Sequence, residues 1–289
     1  YVYFSYTRAL HLLSMKEGFI VDAHYVNSKG LNYRIPLHSK PIMIYYFVDP
    51  LCNECYLTES HIKKMIIEYG RYIQIRPIIS HIFNECNFIQ TPKIDLWNKY
   101  YVLISIKAAT LQGNRFGQEF LRHIQQSIIL HYDELQTANR LLLDQLIEQA
   151  ALKSNLDIIE FYHDLSSDIA KKALQSDLNL KDEMGVNEYP SFVFFSKYID
   201  DYGMKVSGVQ QYETYEHILR EMLQSDLIDQ TKPTLIETFQ YFKRLLTEEI
   251  AFIYDYPLKE AERQIKKLQL RQMVKKVEVN GFDLWEYCG

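Results

Sequence analysis

The sequence has few cysteines and no long apolar run. Four cysteines, Cys52, Cys55, Cys86 and Cys288, occur among 289 residues, and only one pair is close in sequence. This spacing excludes the dense disulfide framework of a small secreted domain. No stretch reaches the roughly 18 consecutive apolar residues that a membrane-spanning helix needs. We therefore expect no membrane partner.

The chain also lacks a basic N-terminal segment and a surplus of positive charge. Residues 1–15 are aromatic and apolar, but Arg8 interrupts them and no basic segment precedes them, so the signal-peptide pattern is poor. We expect a cytoplasmic protein, in which a dithiol normally stays reduced. The net charge of −5 argues against a generic nucleic-acid binder, so no nucleic acid is expected as a partner.

What the sequence does contain is a pair of cysteines at a strand-to-helix turn. Cys52 and Cys55 follow the apolar run 41–48, a predicted buried strand, and precede a segment whose apolar positions recur at helical spacing. Far downstream, Tyr189 and Pro190 enter another apolar strand. A dithiol at such a turn, faced by an X-Pro step that opens a later strand, is typical of a thioredoxin-type domain. The pattern predicts an α/β, thioredoxin-like fold.

The order of the predicted elements divides the chain into five parts. These are an irregular leader (1–40), a thioredoxin domain (41–225), a helical insertion within it (about 91–185), a polar linker (226–233) and a small helical, winged-helix-like domain (234–289). In the last part Asn280-Gly281 lies between two alternating segments, which predicts a hairpin with a type I′ turn.

Three element boundaries are specific enough to test. Residues 53–69 predict one helix, and residues 200–203 predict a polar turn between strands 192–196 and 205–209. Residues 258–276 predict a helix that carries seven Lys or Arg and two Glu. The simpler interpretation of this helix is a solvated charged face, with the core face formed by Leu258, Ala261, Ile265 and Leu268.

The dithiol offers thiol–disulfide exchange as one hypothesis. A thiol at a helix N-terminus faces unpaired N–H groups, so the pKa of Cys52 is expected to fall below that of a free cysteine. Cys52 would attack and Cys55, one turn further, would resolve. Tyr189-Pro190 in the cis form would present a backbone edge to a ligand.

Two residues argue against a working exchange enzyme. Glu54 places a negative charge beside the thiols. Enzymes of this fold usually hold a buried carboxylate at the position that Tyr46 occupies here, and tyrosine is no base near neutral pH. We therefore favour an inherited or merely redox-sensitive pair, with no catalytic residue. Zinc would need further ligands such as His81 and Cys86, which no spacing selects, so neither a metal nor another cofactor is expected.

Several segments together resemble a known family, the bacterial ClpXP adaptor proteins SpxH, also called YjbH, which are relatives of DsbA. The resemblance extends over residues 41–287. It is carried by residues 47–55, 72–76, 107–113, 189–196, 246–250 and 266–268. The Ala-Ala-x-Leu-Gln-Gly segment and the C-terminal extension separate this family from other DsbA relatives. Residues 1–40 match no motif of the family.

The resemblance implies a DsbA-like domain in a cytoplasmic, non-enzymatic adaptor. Such proteins bind the transcriptional regulator Spx and promote its degradation by the ClpXP protease, whose ClpX component is the second expected partner. In the family the thiol pair varies, and adaptor action is not thought to depend strictly on it. The resemblance does not identify which residues of this chain would contact a partner.

Two other functions remain as hypotheses. The first is a cytoplasmic thiol-disulfide oxidoreductase that uses Cys52 and Cys55. The second is a DNA-binding regulator that uses the winged C-terminal segment, which predicts salt-sensitive binding to a duplex.

Overall fold

The computed structural model describes residues 2–5, 40–81, 95–135, 140–196, 202–223, 232–279 and 282–289. Contacts divide the chain into two compact units. The first unit comprises Tyr1–Asp22, Leu37–Thr58 and Ile73–Gln224, and the second comprises Ala23–Pro36, Glu59–Tyr72 and Ser225–Gly289. Among the helices within these described ranges, none is long and apolar enough to cross a membrane.

The chain contains runs of strands and a long run of helices between Ile79 and Ser191. In chain order they are β1 (Val2–Ser5), β2 (Ile42–Val48), α1 (Asn53–Leu57), α2 (Glu59–Tyr69), β3 (Ile73–Ile79), α3 (Leu96–Leu111), α4 (Asn114–Leu130), α5 (Tyr132–Leu135), α6 (Arg140–Lys153), α7 (Ile158–Ser166), α8 (Asp168–Glu183), β4 (Ser191–Ser196), β5 (Tyr202–Ser207), α9 (Tyr212–Leu223), α10 (Leu235–Phe242), β6 (Arg244–Leu246), α11 (Thr247–Tyr254), α12 (Leu258–Leu270), β7 (Val274–Val279) and β8 (Phe282–Tyr287).

The first unit is built on a five-stranded sheet of order β1-β5-β4-β2-β3. Strand β2 lies inside it, parallel to β3 and antiparallel to β4. Every residue of β4 is buried, and so are all but one of β2. Strands covered on both faces need near-continuous apolar runs, which these two have. The predicted thioredoxin-like topology, with helices α3 to α8 inserted between β3 and β4, is confirmed.

A buried ion pair joins the inserted helices to the sheet. Lys107 of α3 pairs with the Asp177 carboxylate of α8, and their side chains are 10% and 4% exposed. The same carboxylate oxygen accepts the backbone N–H of Ile79, at the end of β3, at 2.7 Å. One carboxylate therefore connects α3, α8 and β3.

The second unit surrounds its own apolar core. Buried side chains from α2, α10, α11, α12 and the sheet β6-β8-β7 contribute to it, among them Ile67, Phe239, Ile253, Ile265 and Trp285. The indole N–H of Trp285 donates to the Thr247 hydroxyl at 3.0 Å. The order helix, strand, two helices and hairpin agrees with a winged-helix-like unit, which stays a prediction.

Helix α2 is attached to the C-terminal segment by charge as well as by packing. Lys63 pairs with Glu249, and Lys64 pairs with Asp255. Lys232 bonds to Glu68 at 3.0 Å. The sequence assigned residues 41–225 to one domain, whereas the structure groups Glu59–Tyr72 with the second unit. The other domain boundaries stay predictions.

Some predicted element boundaries are wrong. Strand β5 begins at Tyr202, so Tyr202 and Gly203 are strand residues rather than turn residues, because both pair with β1. Strand β1, Val2–Ser5, is an edge strand of the sheet, although the leader was predicted to be irregular. The predicted helix 53–69 is two helices, α1 and α2, which Thr58 separates as the C-cap of α1.

The basic C-terminal helix is shorter than predicted. Helix α12 ends at Leu270, and Lys275 and Lys276 lie in β7, where they pair with Glu286 and Asp283 of β8. Ala261, Ile265 and Leu268 face the core as predicted, but Leu258 is 47% exposed. Strands β7 and β8 pair as the predicted hairpin, and the turn Asn280-Gly281 itself lies outside the described residues.

Candidate functional site

The sheet brings the dithiol and the X-Pro step to the same end of two neighbouring inner strands, β2 and β4. Strand β2 ends at Val48, four residues before Cys52, and β4 starts at Ser191, which pairs with Phe47. The Tyr189–Pro190 peptide bond is cis. The Tyr189 hydroxyl donates to the Ser80 hydroxyl at 2.8 Å, and the Gly208 N–H donates to the Pro190 carbonyl at 2.8 Å.

The two thiols have different environments. Cys52 is half-buried at the N-cap of α1, and Cys55 is fully buried one turn later; both are free thiols. A hydrogen bond from the Cys55 thiol, helped by backbone N–H groups, lowers the pKa of Cys52. Burial raises the pKa of Cys55 well above its ordinary value. The lowered pKa of Cys52 is confirmed, and its main cause is the second cysteine rather than the end of the helix.

Tyr46 occupies the position of the missing carboxylate. It is 3% exposed, and its hydroxyl donates to the backbone carbonyl of Cys55 at 3.0 Å. Its ring stacks on Phe192 with 4.7 Å between ring centroids. Tyr46 therefore supports the backbone of the dithiol helix and supplies no base.

Sequence reasoning missed a buried acid–imidazole pair beside the thiols. Asp49 and His81 are 4% and 5% exposed, and Asp49 Oδ2 bonds to His81 Nδ1. Asp49 Oδ1 accepts the Leu51 N–H at 2.9 Å, and the Asp49 carbonyl accepts the Cys52 N–H at 3.1 Å. The signal in the sequence was an acidic residue, Asp49, directly after a buried strand. Its pairing with His81 could not be predicted from the sequence, because His81 follows β3, which lies parallel to β2 in the folded sheet.

Acidic groups rim the exposed side of the site. Glu54 lies between the two cysteines in sequence, and Glu188 precedes the cis peptide bond. Burial and the charge of Glu188 raise the pKa of Glu54. The charge of Asp49 raises the pKa of Cys52, and a hydrogen bond from the backbone of Glu54 lowers it. The effect of the Glu54 carboxylate on the Cys52 thiolate stays a prediction.

The unequal thiols predict selective alkylation. We expect iodoacetamide to modify Cys52 with a half-maximal rate at a pH below the value of about 8.5 for a free cysteine, because the thiolate is the reactive form and its pKa is lowered. Cys55 should stay unmodified in the native protein. Peptide mass mapping after pulses of reagent at several pH values measures both sites. A short cysteine peptide is the control, and a midpoint at or above that of the peptide would contradict the prediction.

A zinc site at the dithiol finds no support among the residues that the structure describes. Within those ranges, groups of at least three metal-type ligands occur only as Glu160, His163 and Asp164 of α7, away from the cysteines in sequence. His81 Nδ1 is hydrogen-bonded to the Asp49 carboxylate. Cys86 lies outside the described residues.

Comparison with known proteins identifies both the fold and close relatives. A family model described as Thioredoxin matches residues 45–217. ClpXP adapter protein SpxH of Bacillus subtilis (strain 168) is 35% identical over 273 residues, which cover 86% of this chain and 89% of the relative. ClpXP adapter protein SpxH of Bacillus cereus (strain ATCC 14579) is 34% identical over 280 residues, 86% of this chain and 91% of the relative.

A solved structure is also similar in fold. Oxidoreductase DsbA from Xylella fastidiosa aligns with a TM-score of 0.45 and 10% identity, over 64% of this chain and 86% of that chain. The match to the thioredoxin family model and the strand order of the sheet show that the first unit has a thioredoxin-like fold.

Proposed function

Since the chain belongs to the family of ClpXP adapter proteins SpxH, with a thioredoxin-like domain, we propose that it is a non-catalytic adaptor that delivers Spx to the ClpXP protease. The supporting observation is the extent of the identity, which runs over about nine-tenths of each relative's length and so includes both units. Spx and ClpX are the proposed partners, and the cytoplasm is the proposed location.

An adaptor acts by recruitment and needs no bond-making step. Holding a substrate close to a protease raises its local concentration to about the millimolar range. This mechanism agrees with a site in which tyrosine replaces the usual buried carboxylate, since Tyr46 is committed to the Cys55 carbonyl.

Reconstitution of degradation tests the proposal. Purified ClpX, ClpP, ATP and Spx are incubated with and without this protein, and the amount of Spx is followed over time. We expect Spx to disappear faster with the protein present. A second ClpXP substrate with its own degradation tag is the control and should be degraded at an unchanged rate. Equal Spx turnover in both reactions would reject the adaptor role.

Adaptor action should survive removal of the thiols. We expect a Cys52→Ser/Cys55→Ser variant to stimulate Spx degradation to within about twofold of the wild type, because serine keeps the size of each side chain and recruitment does not need sulfur. The comparison is made in the same assay under reducing conditions. A variant that folds normally but no longer stimulates degradation would favour the oxidoreductase instead.

Thiol–disulfide exchange is the second candidate function. It is favoured by a specific feature, an attacking thiol with a lowered pKa beside a buried partner thiol. Exchange is measured directly by following the reduction of a disulfide in a target protein together with the oxidation of Cys52 and Cys55.

A further inference from the structure

Helix α12 turns one side to the core of the second unit and the other side to solvent. Its 13 residues include four Lys or Arg and two Glu. Exposed residues at spacings of four, three and four positions share the solvent side, and we call them the α12 stripe: Lys259, Arg263, Lys266 and Leu270. Three cations and one leucine therefore lie in a row along about three turns of the helix.

Two cations of the α12 stripe have no counter-ion in the part of the chain that the structure describes. Neither Lys259 nor Lys266 forms a side-chain hydrogen bond or an ion pair there. Arg263 is paired with Glu260 at 2.7 Å, and Glu262 is exposed beside the stripe. With four cations and two carboxylates, α12 keeps a surplus of positive charge in a chain whose net charge is −5.

The neighbouring hairpin does not extend this basic surface. Both lysines of β7 are paired with carboxylates of β8, at 2.9 and 2.6 Å. The stripe ends instead in apolar side chains, since Leu270 is 86% exposed and Met273, just after the helix, is 39% exposed. A protein surface can cover these side chains as well as supply carboxylates, whereas a nucleic-acid backbone contributes charge alone.

The position of the α12 stripe in the chain connects it with adaptor action. The thioredoxin family model ends at residue 217, before the stripe begins. The identity to the two SpxH adapters covers 86% of the chain and so extends beyond that model. A binding surface that separates adapters from other thioredoxin-fold proteins is therefore expected in the C-terminal segment.

We propose that the α12 stripe is a docking surface for the delivered protein, Spx, and that it binds an acidic segment with an apolar side chain placed against Leu270. This inference rests on the proposed adaptor function and adds the surface and the chemistry of its partner. Lys259 and Lys266 gain counter-ions, and Leu270 is removed from water. Complementary charges also raise the rate at which the two proteins associate.

Reversal of charge on the stripe tests the docking surface. Binding of the full chain to immobilised Spx is measured under reducing conditions, which prevent a mixed disulfide. We expect Lys259→Glu/Lys266→Glu to weaken the affinity about tenfold, because it places like charges against the acidic segment. Lys153→Glu/Lys172→Glu makes the same change of charge at exposed positions of the first unit and is the matched control. Its affinity should stay within about twofold of the wild type.

Two further measurements separate the apolar contact from the charges. Leu270→Ala should weaken binding about fivefold, the scale of one truncated anchor in an interface. Added salt should weaken binding of the wild type more than that of the reversed pair, because salt screens attraction between exposed charges. Equal salt dependence in the two proteins would contradict the charge pairing.

Nucleic acid is the competing ligand for a basic helix face. A labelled DNA duplex is titrated at low salt with the wild type and the reversed pair. Duplex binding that the reversal abolishes, with Spx binding unchanged, would assign the face to nucleic acid and overturn the inference. Loss of Spx binding in the reversed pair, with no duplex binding by the wild type, supports it.

The remaining outcomes also decide the inference. A wild type that does not bind Spx rejects the adaptor function and the inference together. If the reversed pair and Leu270→Ala both stay within about threefold of the wild type, the inference is overturned and the adaptor function remains. If the reversed pair shifts the unfolding transition reported by Trp285, Lys259→Gln/Lys266→Gln decides in its place. A loss of about threefold is expected from that neutral pair, and an unchanged affinity overturns the inference.

Discussion

Replacement of Lys107 by methionine is expected to destabilise the first unit by about 3–5 kcal/mol. The side chains of Lys107 and Asp177 are 10% and 4% exposed, so removal of the cation leaves an uncompensated charge in the interior. Methionine keeps most of the volume of lysine, which makes lost packing a small part of the change. The loss should be large because Asp177 also holds the Ile79 N–H and cannot move to solvent without breaking that bond.

Urea unfolding measures this loss. The transition is followed by far-UV circular dichroism and by pulse alkylation of Cys55, whose buried thiol becomes reactive when the first unit opens. Lys172→Met, on the exposed surface of the same insertion, is the control and should change stability by less than about 0.5 kcal/mol. The double variant Lys107→Met/Asp177→Asn should regain much of the loss, since it removes the charge and keeps an acceptor for Ile79. Equal midpoints for wild type and Lys107→Met would show that the pair contributes nothing.

Replacement of Ile67 by alanine is expected to destabilise the second unit by about 2–5 kcal/mol. Ile67 is 5% exposed and belongs to the core formed with the C-terminal helices and strands. The truncation leaves a cavity in that core, although the residue lies only a dozen positions after Cys55 in the sequence. This result would show that contacts of α2 stabilise the unit that contains the C-terminal segment.

Tryptophan fluorescence makes this measurement specific. The chain has two tryptophans, and only Trp285 is in the second unit, where it is buried. In a Trp97→Phe background, its emission reports the unfolding of that unit alone. Leu270→Ala, whose leucine is 86% exposed, is the matched control. If Ile67→Ala leaves the Trp285 transition at the midpoint of the control, the assignment of α2 to this unit is wrong.

Much of the fold was predictable because it depends on local patterns. The apolar runs of β2 and β4 need burial on both faces, so each predicted a strand inside a sheet. Cys52 and the Tyr189–Pro190 step marked the end of the sheet at which the candidate site lies. The errors at Tyr202 and in the edge strand Val2–Ser5 fall where backbone hydrogen bonds to a distant strand override local preference.

The amino-acid sequence by itself determined the thioredoxin-like class, the position of the two thiols and the absence of a carboxylate at Tyr46, because each follows from neighbouring residues. The tertiary structure alone decided that Asp49 meets His81 and that α2 packs with the C-terminal segment. Contacts between residues far apart in sequence form only when strands pair and helices pack, and such pairings leave no periodic signal in a single chain.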